Sequence, residues 1–234
     1  MNIRMLRRIV STVPVLLLFA VNALGVNPNP RISISAGGSV VKGDRTFVVD
    51  GDIFSSSFVD GGNVRVRGTL DLTKKWSLEA TYGHGRNNQR ILELGDTPVQ
   101  RDFGLKLNQV DLNFVHFFAA RKSPVRPFLT SGIGSLRFSP TSEAKALALS
   151  DEFIDDPTQL VSTRKLTVAF GGGIEARFSR WLGLRFDVKD YISAVPRFGV
   201  PQTSSGTGGI FFPVDGVLHN IEIGVGIVFF LLPK

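Results

Sequence analysis

Cysteine is absent from the 234 residues. Its absence excludes disulfide bridges, thiol catalysis and cysteine–zinc sites together. Histidine is scarce: His84, His116 and His219 are the three in the chain, and none sits in HExxH or another metal-ligating spacing. Tryptophan and tyrosine number two each. No stretch approaches the roughly 18–20 apolar residues that a membrane-crossing helix requires. Hydrophobic residues nevertheless make up 43% of the chain and charged ones 20%, which excludes disorder and a helical membrane protein alike. The length suits one domain of the larger all-β kind.

What is present begins with an N-terminus of export type. Arg4, Arg7 and Arg8 precede the apolar run Ile9 to Val21, and Ala23-Leu24-Gly25 places small residues where a signal peptidase cuts. Pro14 inside the apolar run argues against a buried regular helix. Residues 1–25 are therefore expected to be a signal peptide and 26–234 the mature domain. Removing three arginines and no acids lowers the formal net charge from +7 to +4. No basic patch interleaved with aromatics remains, so nucleic acid is not an expected partner.

Eight stretches of period two follow, each near the roughly 9–11 residues with which a tilted strand crosses a bilayer. Apolar and polar residues alternate in "RISISAGGSV", "NVRVRGTLDL", "WSLEATYG", "QVDLNFVHFF", "LTVAFGGGIEARF", "WLGLRFDVKDY" and "NIEIGVGIVFFL". The fifth stretch in chain order, "RPFLTSGIGSLRF", does not declare its register. Connections alternate too. "TKK", "AARKSPV" and "SR" are short, whereas 43–62, 84–104, 139–164 and 192–217 are long and rich in Gly, Ser, Asp, Asn and Pro. In an antiparallel meander this rhythm gathers all four long connections at one end, where they read as functional loops.

Eight such strands close into a narrow barrel, and two barrels compete. A soluble lipocalin-like barrel turns its apolar row inward to hold a hydrophobic ligand; a transmembrane barrel turns it outward to lipid. Three features favour the second. The polar row holds Arg65, Arg67, Arg177, Arg185 and Lys189 with Asp71, Glu79, Asp111, Glu175, Asp187 and Glu222, a balanced set able to pair across a lumen, as buried charges must. Gly171, Gly173, Gly183, Gly224 and Gly226 share that row, where they make room for long neighbours. Trp76, Tyr82, Phe178 and Trp181 fall near strand ends, as in an interfacial aromatic girdle. The predicted fold is an all-β, eight-stranded, antiparallel up-and-down transmembrane β-barrel.

The segments "VRPFLTSGIG", "AFGGGIEARFSRWLGLRFDVKDY" and "IEIGVGIVFF" resemble the OmpA-type small outer-membrane β-barrel domain, over roughly 30–231. The resemblance implies the outer membrane of a diderm bacterium, with short turns in the periplasm and long loops outside. It further implies outer-membrane lipid and the barrel-assembly machinery as partners. The assembly machinery reads a terminal aromatic; here the chain runs on to "FFLLPK", leaving Phe229 or Phe230 for that role. No peptidoglycan-binding segment follows the last strand, so cell-wall anchoring is not expected.

Candidate chemistry is thin. A lipid hydrolase would need a serine, histidine and carboxylate in mutual reach; His84, Glu79 and Ser204 are the set that can be imagined. Ser142-Glu143-Ala144-Lys145 matches S-x-x-K without its SDN and KTG partners, and the stretch reads better as a short helix begun by a Thr or Ser cap. Gly171-Gly172-Gly173 and "GTGG" at 206–209 lack the context of a phosphate loop. No cofactor is expected. The expected function is a non-catalytic, surface-exposed barrel with a charge-paired, mostly plugged lumen and an extracellular ligand met through its loops. A soluble binding barrel, a small pore and a lipid-modifying enzyme are the alternatives.

Overall fold

The computed structural model describes residues 30–43, 45–49, 52–94, 99–149, 159–200 and 216–231; the expected signal peptide, Ser204 and "GTGG" lie outside them. The elements are β1 (Arg31–Lys42), β2 (Arg45–Val49), β3 (Asp52–Asp71), β4 (Trp76–Leu94), β5 (Val99–Phe117), β6 (Val125–Pro140), α1 (Ser142–Ala148), β7 (Thr163–Arg177), β8 (Leu182–Ala194) and β9 (Val217–Phe230). Every pairing is antiparallel; from β2 to β9 each strand pairs with its sequence neighbours, and β1 closes the ring by pairing with both β3 and β9. The short β2 pairs with β3 alone, so the closed wall has eight strands. Closure matters physically because an open edge would leave peptide groups unpaired in hydrocarbon.

The apolar row faces out. On β7, Leu166, Val168, Phe170 and Ile174 are exposed, while Thr167, Ala169 and Glu175 are buried. Leu184, Phe186 and Val188 on β8, and Ile223, Val225, Ile227 and Phe229 on β9, continue the same outer wall. Trp76, Phe118, Phe178 and Trp181 cap it, exposed, at the short-turn end. Tyr82 is not at a strand end. It sits within β4, where the outward series Trp76, Leu78, Ala80, Tyr82 gives way to His84 and Arg86, and so marks the other edge of the apolar wall.

Two of the four long connections are largely strand. β2 and β3 pair from Val49 opposite Asp52, and β4 and β5 from Glu93 opposite Val99, inside what reads in sequence as loops 43–62 and 84–104. The reason lies in the alternation, which changes face. On β5, Val110, Leu112 and Phe114 point out, whereas Leu107, Leu105 and Phe103 point in. On β6, Leu129 and Ile133 point out, whereas Leu136 and Phe138 point in. On both strands the outside is apolar near the short turns, whereas toward the long connections the outside is polar and the inside apolar, as for a sheet in water; β4 keeps Asn87 and Gln89 inside there. A period-two search that keeps one phase stops at that point. The same two-sided grease hides the register of β6, now fixed with Arg126, Phe128 and Thr130 inward. The expected helix is present in 139–164: the Thr141 side chain accepts from the Ala144 N–H and starts α1.

Leu112 lies mid-wall, 47% exposed. Leu112→Arg is expected to destabilise the lipid-embedded barrel by about 2–4 kcal/mol, read from urea unfolding in bilayers. Unfolding unchanged by this substitution would mean that the face is not in lipid.

Candidate functional site: the filled lumen

The lumen is occupied in three layers. In the middle, Glu79 of β4 receives Arg185 Nη1 at 2.7 Å and Lys189 Nζ at 3.0 Å, both from β8. In the order of strands around the ring, β4 and β8 stand diametrically opposite, so these pairs span the bore. Arg67 of β3 reaches Asp187 at 2.9 Å, and Arg65 reaches Glu222 at 3.0 Å and Asp187 at 3.5 Å. Lys189 also approaches Asp111 at 3.9 Å. This layer holds four bases and four acids, so it neutralises itself. Asp111 takes further hydrogen bonds from Gln109, at 2.9 Å, and Asn113.

Small residues make the layer possible. A Cβ added to Gly224 would collide with the Arg65 guanidinium, and one on Gly173 would meet Phe128 Cζ at 2.8 Å. Glycine on this face is therefore spatial allowance for the neighbours' long side chains.

Toward the short turns, Asp71 accepts from Arg31 Nη1 at 2.7 Å and pairs with Arg121 Nε at 3.2 Å, while Glu175 pairs with Arg31 Nε at 3.2 Å and Arg126 Nη1 at 3.7 Å. The guanidinium carbons of Arg126 and Arg185 lie 3.7 and 4.2 Å from the ring centres of Phe117 and Phe128, a favourable cation–π arrangement. Toward the long-connection end, Val41, Phe58, Leu105, Leu107, Leu136, Phe138, Val195, Phe198 and Leu218 form one apolar cluster across the bore. Between this cap and the charged layer lies a cavity of about 10 Å³, lined in part by Ser39, Asn63, Arg65 and Glu222, room for about one water.

Of the charged row read from sequence, Arg65, Arg67, Glu79, Asp111, Arg185, Asp187, Lys189 and Glu222 lie in the middle layer, and Asp71 and Glu175 in the short-turn layer. Arg177 departs from the set. It is partly exposed at the rim and lies 3.7 Å over the ring of Phe230. Sequence reasoning missed Arg31, Arg126 and Tyr191, all buried inside. Arg31 is in phase with Ser33 and Ser35, and Tyr191 continues the row Arg185, Asp187, Lys189, so both were within reach of the period-two signal. Arg126 required the unread register of β6.

The imagined hydrolytic set does not assemble. Glu79 points into the lumen and His84 out of the wall, on opposite faces of β4. His84 instead approaches Asn108 Oδ1 at 2.9 Å, to which the Tyr82 hydroxyl donates at 3.3 Å. His116 packs outward between Trp76 and Phe118, tilted against the first ring and edge-on to the second, with ring centres 4.5 and 5.2 Å away. Ser142 and Lys145 are exposed on α1. Among the described residues no cluster of His, Asp and Glu has the arrangement to hold a metal ion.

Buried ion pairs add little net stability over apolar packing, but removing one partner strands the other. Glu79→Ala leaves Arg185 and Lys189 without their nearest anion, and is expected to cost about 3–5 kcal/mol in unfolding free energy. Arg177→Ala, at the rim, is expected to cost less than about 2 kcal/mol. Equal effects in urea titrations of the two variants would contradict the layered assignment.

No protein-family model matches the chain, and no curated protein sequence matches it. Solved structures do. OprG from Pseudomonas aeruginosa is 11% identical, with 87% of this chain and 97% of that chain covered and a TM-score of 0.53. Neisserial surface protein A is 12% identical, with 86% and 97% covered and a TM-score of 0.50. At this identity the likeness speaks for the fold, and it agrees with the closed eight-stranded wall and its outward apolar face. The chain has the up-and-down, eight-stranded fold of the small outer-membrane β-barrels of OmpA type.

Proposed function

We propose that the protein is a non-catalytic barrel of the outer membrane, closed to solute, which displays its long connections to the outside. The observation that carries this reading is the lumen itself. Ion pairs span the full bore between β4 and β8, an aromatic–arginine layer lies below them, and an apolar cluster lies above. Hydrated ions would have to displace all three, and an eight-stranded barrel leaves little space for a detour.

The surroundings follow from the same geometry. Outer-membrane lipid covers the apolar wall, and acyl chains fill the outward groove formed by Trp76, Phe114, Phe118, Leu129 and Phe170. Phe229, outward near the end of β9, is the aromatic offered to the barrel-assembly machinery; Phe230 points inward beneath Arg177. The short turns lie in the periplasm. The long connections, with the β2–β3 and β4–β5 hairpins standing beyond the wall, meet an extracellular ligand.

Planar bilayers test the closed lumen. Wild-type protein is expected to give no stable conductance steps. Reproducible steps that change with Arg185→Ala would identify a pore lined by the charged layer and overturn this reading.

A further inference from the structure

The outer face of the wall is not electrically uniform. On four contiguous strands the outward series leaves the apolar wall and comes next to a base: Tyr82, His84, Arg86 on β4; Val110, Asn108, Lys106 on β5; Ile133, Ser135, Arg137 on β6; and Leu166, Arg164 on β7. Arg86, Lys106, Arg137 and Arg164 are all exposed. Register brings them together. Arg86 stands directly opposite Lys106, and Arg137 directly opposite Arg164. Lys106 pairs with Ser139, two residues and one outward step from Arg137.

Like charges placed directly across a strand pair repel. Among the described residues none of these four has a carboxylate within 4.0 Å. Glu143 on α1 interacts electrostatically with Lys106, and the outward pair Arg90–Asp102, at 2.9 Å, lies further along β4 and β5. Neither neutralises the group. Among the described residues the opposite half of the barrel differs: beyond its apolar wall β1, β3, β8 and β9 carry Lys42, Asp60 and the pair His219–Asp190 at 2.7 Å, a mixture of signs. A ring attracted to anionic lipid in general would run all round. Among the described residues this one covers one side.

We propose that the basic face of β4–β7 binds the phosphate groups of a glycolipid headgroup in the outer leaflet. The position selects a lipid, because the four bases point sideways, one or two outward steps past the last apolar residue, at the depth where headgroup phosphates stand. A soluble polyanion would be met by the far ends of the connections instead. Tyr82, His84 and Asn108 supply a polar shelf directly beneath, at the level of the sugar and acyl carbonyls. Each base near an anionic headgroup contributes attraction that salt weakens. The inference rests on the reading of the chain as an outer-membrane barrel.

The test uses wild-type protein and the variant R86Q/K106Q/R137Q/R164Q in phosphatidylcholine nanodiscs doped with lipid A, either bisphosphorylated or dephosphorylated. Native mass spectrometry reads the lipid retained, and the shift between boiled and unboiled bands on gels reports the folded barrel. Wild-type protein is expected to retain the bisphosphorylated form about tenfold more than the dephosphorylated form, and the variant to lose that preference while keeping the band shift. Equal retention of both forms by the wild type, or an undiminished preference in the variant, overturns the proposal. So does a heparin fragment binding the same face when lipid A shows no preference. If the variant lacks the band shift, the wild-type comparison alone decides. A wild type without the band shift removes the barrel reading and this inference with it.

Discussion

Everything in this structure depends on one constraint: hydrocarbon on the outside of the wall accepts no charge and no unpaired peptide group. The first half of the constraint sends every Asp, Glu, Lys and Arg side chain of the apolar zone inward. The second closes β1 onto β9 and β3. Eight strands leave a bore only as wide as the side chains that fill it, so charges sent inward meet one another. Their balance is then a requirement of burial. Glu79 answers two cations from the far side of the ring, and Asp187 two from β3. Glycine enters for the same reason, at points such as Gly224 where the Arg65 guanidinium occupies the space of a Cβ.

The constraint has an upper edge, and the chain records it. Where lipid ends, water takes over as the outer solvent, and the alternation inverts: Leu107, Leu105 and Phe103 turn in where Val110, Leu112 and Phe114 turned out. The inverted segment builds the apolar cap over the charged layer and extends β3, β4 and β5 beyond the wall. The apolar outer wall and the apolar cluster over the charged layer are thus two results of one change of face. The exposed bases Arg86, Lys106, Arg137 and Arg164 stand just past that edge.

Much of this is legible without coordinates, because period two survives wherever one face is consistently apolar. β7, β8 and β9 declare both faces, and ten of the eleven charged residues read from them and their partners lie in the lumen's ion-paired layers, with Arg177 displaced to the rim. What fails to show is what depends on a change of phase or on grease on both faces. β6 carries Phe128 and Phe138 inside and Leu129 and Ile133 outside, so alternation cannot tell its sides apart. The hairpin within 84–104 looks like a loop because its outward face, with Arg86, Asn88, Arg90 and Asp102, is polar. The side-by-side placement of Arg86 and Lys106, or Arg137 and Arg164, depends on register between strands, which a linear sequence does not carry.

The lack of cysteine makes the decisive measurement simple, since any cysteine introduced is unique. Single cysteines at positions 103–114 of β5 would be spin-labelled in proteoliposomes and their collision rates with oxygen and with a water-soluble nickel chelate compared. The account predicts lipid-phase exposure at 110, 112 and 114, shielding at 109, 111 and 113, and chelate exposure at 104 and 106 with shielding at 105 and 107. The opposite alternation, with 110, 112 and 114 shielded and their odd neighbours open to the chelate, would turn the barrel inside out and contradict it.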